Sequence, residues 1–425
     1  MRKISITALI MLVSLLSMAS QKRKVLIFGL DGIRSDALQQ ANTPNIDALI
    51  ATGFYTYDSW NMGITVSGPT WSTIFTGVWF PKHGVTDNSY AGSNYNKYPY
   101  FLSRAKQVNP NLYGVQLVTW SPMSDQVYND GYNQKIIRAN DFTQWHPAVE
   151  TALQNPNIDV MVAYTNYVDG VGHSTGFSPS NPAYMKAIEE IDKWVGAVMA
   201  DVKSRPDYAN EDWLILLTTD HGGLGTSHGG NSNEERHVWW VAAGNNVNPK
   251  QMIASDPGSY NMSNNPVDPV KVKLAPVQAD IAVTALHHLL YESGVRPDDK
   301  SKLPGSSWDL DGKSWLDSIY IKKEDPNPGP DPDDSTTGVG NEPEVMDVKV
   351  FPNPATGLVT IWFDPKAQPV SYHVTDISGR IVKSGQPVSM GLKLNIDLSG
   401  QPAGTYFISV QAGSRKTVKQ VLLQP

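Results

Sequence analysis

The chain contains no cysteine, so disulfide bridges are excluded, as is a lipid anchor attached through cysteine. Positive charge is also scarce. Lys and Arg number 34 against 41 Asp and Glu, a net charge of -7 that disfavours nucleic acid as a structural partner. After the first 19 residues no apolar run reaches the length of a membrane span. With 425 residues, 40% of them hydrophobic, we expect two domains.

The N-terminus has the pattern of a secretory signal peptide over residues 1–19. Arg2 and Lys3 precede an apolar segment, and small residues follow it at Ser17 and Ala19. We therefore expect a soluble mature protein without a membrane span. It would be exported through the periplasm and either secreted or held at the cell surface.

The most informative stretch is Trp213 to Gly230. Its first seven residues form an apolar run typical of a strand buried on both faces of a parallel sheet. Asp220 and His221 follow at the predicted carboxyl end of that strand, where open α/β sheets place their chemistry. His228 comes next, within a Gly-rich loop. One carboxylate and two imidazoles in nine residues suit a zinc-type ion.

Strands and helices alternate along the chain up to about residue 323. This alternation predicts an α/β fold with a mostly parallel sheet that is covered by helices on both faces. We predict strands at 24–30, 113–119, 159–164, 213–219 and 238–243, and helices that begin at Pro44 and Ser67, span Pro182 to Lys203, and lie near 277–293.

The composition changes at Glu324. Residues 324–345 are rich in Pro, Asp and Gly and show no apolar periodicity, which predicts a linker between a catalytic domain at 22–323 and a second domain at 346–425. In that second domain, short alternating segments are separated by turn residues. The pattern predicts a small β-sandwich.

Several side chains able to bind metal follow predicted strands. Two sets of carboxylate and histidine plus one hydroxyl would suffice for two metal ions that together stabilise the attacking and leaving oxygens of a displacement. Asp169 and His173 are four residues apart, in a segment that we predict to be a Gly-rich loop. Ser67 opens a helix, where free N–H groups favour an anion. The complete set is Asp31, Ser67, Asp169, His173, Asp220, His221 and His228.

Six motifs in order resemble the alkaline phosphatase superfamily, and most closely its type I phosphodiesterases and nucleotide pyrophosphatases. The resemblance implies two Zn²⁺ ions, although other divalent metals remain possible, and a phosphoseryl intermediate on Ser67. It also implies that Asn88 donates its amide to a phosphoryl oxygen. One zinc would be held by Asp31, Ser67, Asp220 and His221, and the other by Asp169, His173 and His228. The motifs are FGLDGIRSD, SGPTWSTIFTG, HGVTDN, DGVGH, TTDHGG and SHG.

The sequence departs from that branch in two respects. The nucleophile there is usually threonine, so Thr65 and Thr70 are rivals of Ser67. The third histidine of the second metal site lies far downstream in the nucleotide pyrophosphatases. His228 is close, as in the phosphoethanolamine transferases and phosphatases of the superfamily. A phosphomonoesterase or a phosphoethanolamine-type transferase on the same site is therefore an alternative.

A sulfatase is a further alternative, because Ser67 and Pro69 also match the sulfatase signature. Sulfatases, however, need an arginine where this chain has Trp71, and a second aspartate where it has Gly32. A catalytically inactive binding protein on the same fold is the remaining alternative, which the complete set of metal-capable side chains disfavours.

Charge near the predicted nucleophile favours a small-molecule phosphodiester over a monoester. A monoester carries close to two negative charges, and the four residues after Ser67 contain no Arg or Lys. Arg34, Lys82 or Arg236 would weaken this argument by reaching the site. The sequence carries no readable signal for the leaving group.

The C-terminal segment resembles the sorting domain of the type IX secretion system of Bacteroidota. A Pro-Asn-Pro motif at 352–354 and a basic terminal strand at 414–423 carry the resemblance. It implies that this domain engages the secretion machinery. A carbohydrate-binding β-module is the alternative.

Overall fold

The computed structural model describes residues 21–297, 299, 308–319, 348–363, 371–377, 380–385, 393–412 and 415–424. The predicted signal peptide and linker lie outside these residues. Within them, no helix combines the length and apolar character needed to cross a bilayer.

Eight strands of the N-terminal part form one mixed sheet, which confirms the predicted α/β class. The predicted strands are present with small shifts of their ends, and three strands that the sequence analysis did not identify, β2, β4 and β8, complete the sheet. The strands are β1 (Lys22–Leu30), β2 (Phe54–Trp60), β3 (Gly114–Val118), β4 (Gln134–Ile137), β5 (Val160–Thr165), β6 (Glu211–Thr218), β7 (His237–Ala243) and β8 (Lys250–Met252).

The order of the strands is β4-β3-β5-β1-β6-β7-β2-β8. The first five strands of this order, β4, β3, β5, β1 and β6, are parallel to one another. Strand β7 pairs antiparallel with both β6 and β2. The central strand β1 therefore lies between β5 and β6, so the segments that follow these three strands meet at one edge of the sheet.

Helices cover both faces of this sheet. Apolar side chains of α3, α5 and α12 pack on one face, and those of α1, α2, α7, α8 and α9 pack on the other. The helices are α1 (Ser35–Gln40), α2 (Pro44–Ala51), α3 (Ser67–Thr76), α4 (Phe80–His83), α5 (Phe101–Val108), α6 (Pro122–Asp125), α7 (Trp145–Leu153), α8 (Tyr167–Thr175), α9 (Pro182–Lys203), α10 (Asn233–Arg236), α11 (Pro269–Leu274), α12 (Asp280–Leu290) and α13 (Leu316–Ile319).

The sequence prediction was wrong for one segment of the site. Residues 169–173 were predicted as a Gly-rich loop, but they lie inside α8. Gly172 packs directly against the ring of Phe177, where a side chain would not fit, whereas the space at Gly170 is open. As a consequence, Asp169 and His173 are one helical turn apart and project from the same face.

The C-terminal part contains two antiparallel sheets around one apolar core, in agreement with the predicted β-sandwich. Their orders are β13-β10-β9 and β12-β11-β14-β15, and both sheets contribute to the core. The strands are β9 (Val348–Phe351), β10 (Leu358–Phe363), β11 (Ser371–Asp376), β12 (Ile381–Gly385), β13 (Lys393–Asp397), β14 (Gly404–Ala412) and β15 (Arg415–Leu423).

Candidate metal centre and nucleophile

Three adjacent strands position the carboxylates of the site. Asp31 directly follows β1, Asp169 lies on α8 just after β5, and Asp220 follows β6. All three side chains are buried. The backbone N–H of Gly32 donates to Asp220 Oδ1 at 3.1 Å, which joins the ends of β1 and β6. The parallel arrangement of these strands thus brings three acidic groups together.

Histidines from two segments surround these carboxylates. His221 Nε2 lies 3.1 Å from Asp220 Oδ2 and 3.7 Å from Asp31 Oδ1. His228 Nε2 lies 3.7 Å from Asp169 Oδ1 and 3.1 Å from His173 Nε2. The His221 and His228 rings stack with their centroids 3.7 Å apart.

Backbone carbonyl groups orient the three imidazoles. His173 Nδ1 lies 2.9 Å from Thr226 O, His221 Nδ1 lies 2.8 Å from Gly222 O, and His228 Nδ1 lies 2.8 Å from Thr65 O. A carbonyl oxygen only accepts, so each Nδ1 carries a proton, and the neutral form of each imidazole presents a lone pair at Nε2. His173 Nε2 and His228 Nε2 lie 3.1 Å apart, and a cation between them would stabilise this arrangement of the two neutral rings.

The carboxylates also present oxygens that lack a donor. Within the described part of the chain, Asp31 Oδ1, Asp169 Oδ1 and Asp220 Oδ2 are buried and accept no hydrogen bond. Burial raises the pKa of each carboxyl group, and the charge of Asp31 further raises the pKa of Asp169 and Asp220. Burial lowers the pKa of His221 and His228 to about 3, so both imidazoles are neutral at pH 7.

Two groups of ligands can therefore hold a metal ion. One consists of Asp31, Asp220 and His221, and the other of Asp169, His221 and His228, with the ligand atoms of each group within 4.8 Å of one another. His173 adjoins the second group, its Nε2 3.5 Å from Asp169 Oδ2. Mixed imidazole and carboxylate ligands are those that zinc accepts, so the residues fit such an ion.

Ser67 lies beside the first group. It is the first residue of α3, and its Oγ is 3.3 Å from His221 Nε2. The rival hydroxyls are occupied elsewhere: Thr65 donates to Gly230 O at 2.6 Å, and Thr70 donates to Ile64 O at 2.8 Å. Of these three hydroxyls, Ser67 Oγ is the one with a hydrogen-bond contact to a ligand of the metal groups among the residues that the structure describes.

Asn88 lies against the N-terminus of α3. Its Oδ1 accepts from the Gly68 N–H at 2.8 Å, which leaves the side-chain NH₂ free of that contact. Pro69, which follows Gly68 in the helix, has no N–H. The expectation that free N–H groups of this helix bind an anion is therefore weakened, and Asn88 Nδ2 becomes the more suitable donor.

Sequence reasoning missed the groups that hold the ligands in place. Trp71 Nε1 and the Tyr164 hydroxyl donate to Asp31 Oδ2 at 3.0 and 2.6 Å. The carbonyl groups of Thr65, Gly222 and Thr226 orient the imidazoles, as described above. Backbone carbonyl groups have no sequence signature, whereas buried aromatic residues with N–H or O–H groups near a predicted site could have been considered.

Two other conspicuous histidines lie outside the cluster. His83 is buried, with Nε2 3.1 Å from Thr73 Oγ1 and Nδ1 accepting from the Val85 N–H. His237 stacks on Trp60 and contacts Asp58 at 3.0 Å. Both have structural partners, and neither belongs to the two ligand groups.

Comparison with known families agrees with this geometry. Residues 25–236, which include every candidate ligand and Ser67, match the family described as type I phosphodiesterase / nucleotide pyrophosphatase. The chain belongs to this family over its N-terminal part. Residues 349–424 match the secretion system C-terminal sorting domain, so the C-terminal sandwich is a sorting domain rather than the alternative carbohydrate-binding module.

Relatives within the family are distant. Mouse ectonucleotide pyrophosphatase/phosphodiesterase family member 3 is 28% identical over 219 residues, which cover 47% of this chain and 24% of that protein. Human family member 7 is 22% identical over 223 residues, 47% of this chain and 48% of that protein. The match thus spans a quarter to a half of the length of these relatives.

Among solved structures, a 2-O GAG sulfatase has a similar fold. The TM-score is 0.53 at 13% sequence identity, and the alignment covers 94% of this chain and 85% of the sulfatase chain. This likeness concerns the fold alone. At the position of the second sulfatase aspartate, Gly32 has φ 73°, and a Cβ there would lie 2.7 Å from the Asp169 backbone. A side chain would therefore displace Asp169.

The buried charge at Asp169 leads to a test without substrate. Folding raises the pKa of the Asp169 carboxyl group above its ordinary value of 3.8. The stability that this group contributes is therefore present below pH 3.8 and is lost as the pH rises through the raised pKa. In chelated protein, we expect Asp169→Asn to raise the melting temperature near pH 8, because about 1.4 kcal/mol accompanies each unit of pKa shift.

The measurement is thermal unfolding of the chelated parent and variant at several pH values. The advantage of the variant should shrink as pH falls toward 4. A variant that is less stable than the parent at every pH would show that the carboxylate is stabilised by something other than a metal ion.

Proposed function

We propose that the chain is a metal-dependent phosphodiesterase that uses two zinc ions and a phosphoseryl intermediate on Ser67. The observation that carries this proposal is the contact of Ser67 Oγ with His221 Nε2 at 3.3 Å, because the same imidazole nitrogen lies 3.1 Å from Asp220 Oδ2, a buried carboxylate oxygen that lacks a donor. Zinc ions held by the two ligand groups would stabilise negative charge on the attacking and leaving oxygens.

The residues of the chain would act in two steps. In the first, Ser67 Oγ forms a bond to phosphorus and gives up its proton, while the bond to the leaving oxygen breaks and that oxygen takes up a proton and departs as an alcohol. In the second, a water oxygen attacks phosphorus, the Ser67–phosphorus bond breaks, and the serine is restored. Asn88 Nδ2 would donate to a non-bridging oxygen in both steps and hold the phosphoryl group in place.

The surroundings of the site support a diester substrate. Each of the three cations that could approach a monoester is bound to carboxylate: Arg34 to Asp36 at 2.6 Å, Lys82 to Asp311 at 2.6 Å, and Arg236 to Asp256 at 2.8 Å. Drawing any of them to the phosphoryl group would break an ion pair. The site therefore offers a substrate dianion no readily available side-chain cation among these three.

We expect p-nitrophenyl esters of a nucleotide to be hydrolysed with at least tenfold higher kcat/KM than p-nitrophenyl phosphate. Both substrates release the same leaving group, so the comparison removes leaving-group effects and reports the combined effect of the lower charge and the second ester group. It should be made at one pH and one zinc concentration. A tenfold preference for the monoester would overturn the proposed substrate class, and Arg34→Gln, Lys82→Gln and Arg236→Gln would then identify the cation responsible.

We also propose that the protein is exported through the type IX system, by cleavage of a signal peptide at residues 1–19 and recognition of the sorting domain.

No candidate ligand lies beyond residue 323. A chain that ends near residue 323 is therefore expected to keep kcat/KM within about twofold and to remain inside the producing cell. Fractionation and a diesterase assay provide the measurement. Loss of folding in the shortened chain would show that the two parts are interdependent.

A further inference from the structure

Arg34 connects the three segments that carry the proposed metal ligands. Arg34 lies three residues after Asp31. Its Nη1 donates to Phe177 O at 3.1 Å and to Gly223 O at 3.2 Å. The other edge of the guanidinium group is held by Asp36. The side chain is only 12% exposed. Arg34 thus ties the segment after β1 to the segments after α8 and β6.

Phe177 fills the space between those segments. A Cβ atom would lie 2.3 Å from the Phe177 ring at Gly172 and 2.4 Å from it at Gly223, so the ring is enclosed by two glycine backbones. Its centroid is 5.3 Å from that of His173 and 6.2 Å from that of His228, and it stands nearly perpendicular to both imidazoles. The ring is 1% exposed, so it packs beside the histidines as a buried side chain.

His173, which adjoins the second ligand group, and His228, which belongs to it, need such support. His173 has a side chain that is 43% exposed, and its Nε2 lies 3.1 Å from His228 Nε2, an approach that is repulsive when both rings are neutral and no cation lies between them. The hydrogen bond from His173 Nδ1 to Thr226 O restrains the ring at one point. Packing against Phe177 restrains its plane, and Arg34 in turn fixes the backbone of Phe177.

We propose that Arg34 and Phe177 are positioning residues that hold His173 and His228 ready to bind the second metal ion. This inference rests on the proposed function, because it requires that two metal ions bind. It assigns Arg34 a role different from substrate binding, although Arg34 was a candidate for contact with a phosphoryl dianion.

The test is zinc binding by the full chain, measured by competition with a chromogenic chelator. The parent should bind two equivalents. In Phe177→Leu and Arg34→Gln, we expect the affinity for one equivalent to fall about 10- to 100-fold, as is typical when a residue that orients a metal ligand is lost. In Phe177→Leu the other equivalent should remain tight, because the contacts of the Phe177 ring described above are with His173 and His228 and not with Asp31, Asp220 or His221.

Phe101→Leu is the matched control. Phe101 is equally buried but packs on the opposite face of the sheet, so its loss should lower the melting temperature and leave both zinc affinities unchanged. If both site variants lose stability like the control but bind two equivalents as tightly as the parent, the inference is wrong. A parent that binds no zinc would instead overturn the proposed function and this inference together.

Discussion

Replacing Ser67 by alanine is expected to lower kcat for a phosphodiester by at least about 10³-fold, or about 4 kcal/mol at 1.36 kcal/mol per tenfold change. The reason is that the covalent step loses its attacking oxygen, while the ligand groups keep their side chains. The protein should fold and bind zinc nearly as the parent does, because Ser67 Oγ makes a single side-chain contact, with His221, in the described structure.

Thr70→Val is the control for this substitution. Thr70 is buried at the same end of α3, and its hydroxyl donates to Ile64 O and accepts from Asn61 Nδ2. We expect this variant to lose stability but to keep turnover within about tenfold. Near-normal activity in Ser67→Ala combined with inactivity in Thr70→Val would assign the nucleophile to Thr70.

Replacing His221 by alanine is expected to remove at least one equivalent of zinc and to lower kcat/KM by at least about 10³-fold. His221 belongs to both ligand groups, and its Nε2 contacts Ser67 Oγ. Its ring also stacks on that of His228. No other described residue takes part in both groups. Its loss should therefore affect metal binding and the position of the nucleophile together.

His237→Ala is the matched control for His221. His237 follows α10 at the start of β7 and stacks on Trp60, outside both ligand groups. Zinc content should be unchanged, and kcat/KM should stay within about threefold of the parent. Equal losses in the two variants would mean that the His221 effect arises from general destabilisation.

The sheet could be predicted where apolar runs are continuous. Strands β1 and β6 are buried on both faces, so their sequences are distinctive, and the polar residues at their ends predicted the site at Asp31 and Asp220. Strand β2 was missed because its polar and aromatic residues are mixed, and its ladder with β7 shifts register between Thr56 and Ser59. Pairing with β7, which is remote in sequence, holds this strand in the sheet.

Helix α8 was mispredicted for a related reason. Glycine weakens a helix by roughly 1 kcal/mol relative to alanine, and two glycines in five residues indicated a loop. The structure shows that Gly172 is needed for contact with Phe177. The two carbonyl groups that accept from the Arg34 side chain lie 143 and 189 residues away in the chain. Contacts of this kind depend on tertiary structure and leave no local pattern in the sequence.

The most direct measurement of the central claim combines zinc content and diester hydrolysis on the same preparation. Chelation should abolish turnover of a p-nitrophenyl nucleotide ester, and stepwise addition of zinc should restore it, with full activity at two equivalents per chain. Full turnover by the chelated protein, or a preparation that binds two equivalents and hydrolyses neither diester nor monoester, would contradict a two-zinc phosphodiesterase.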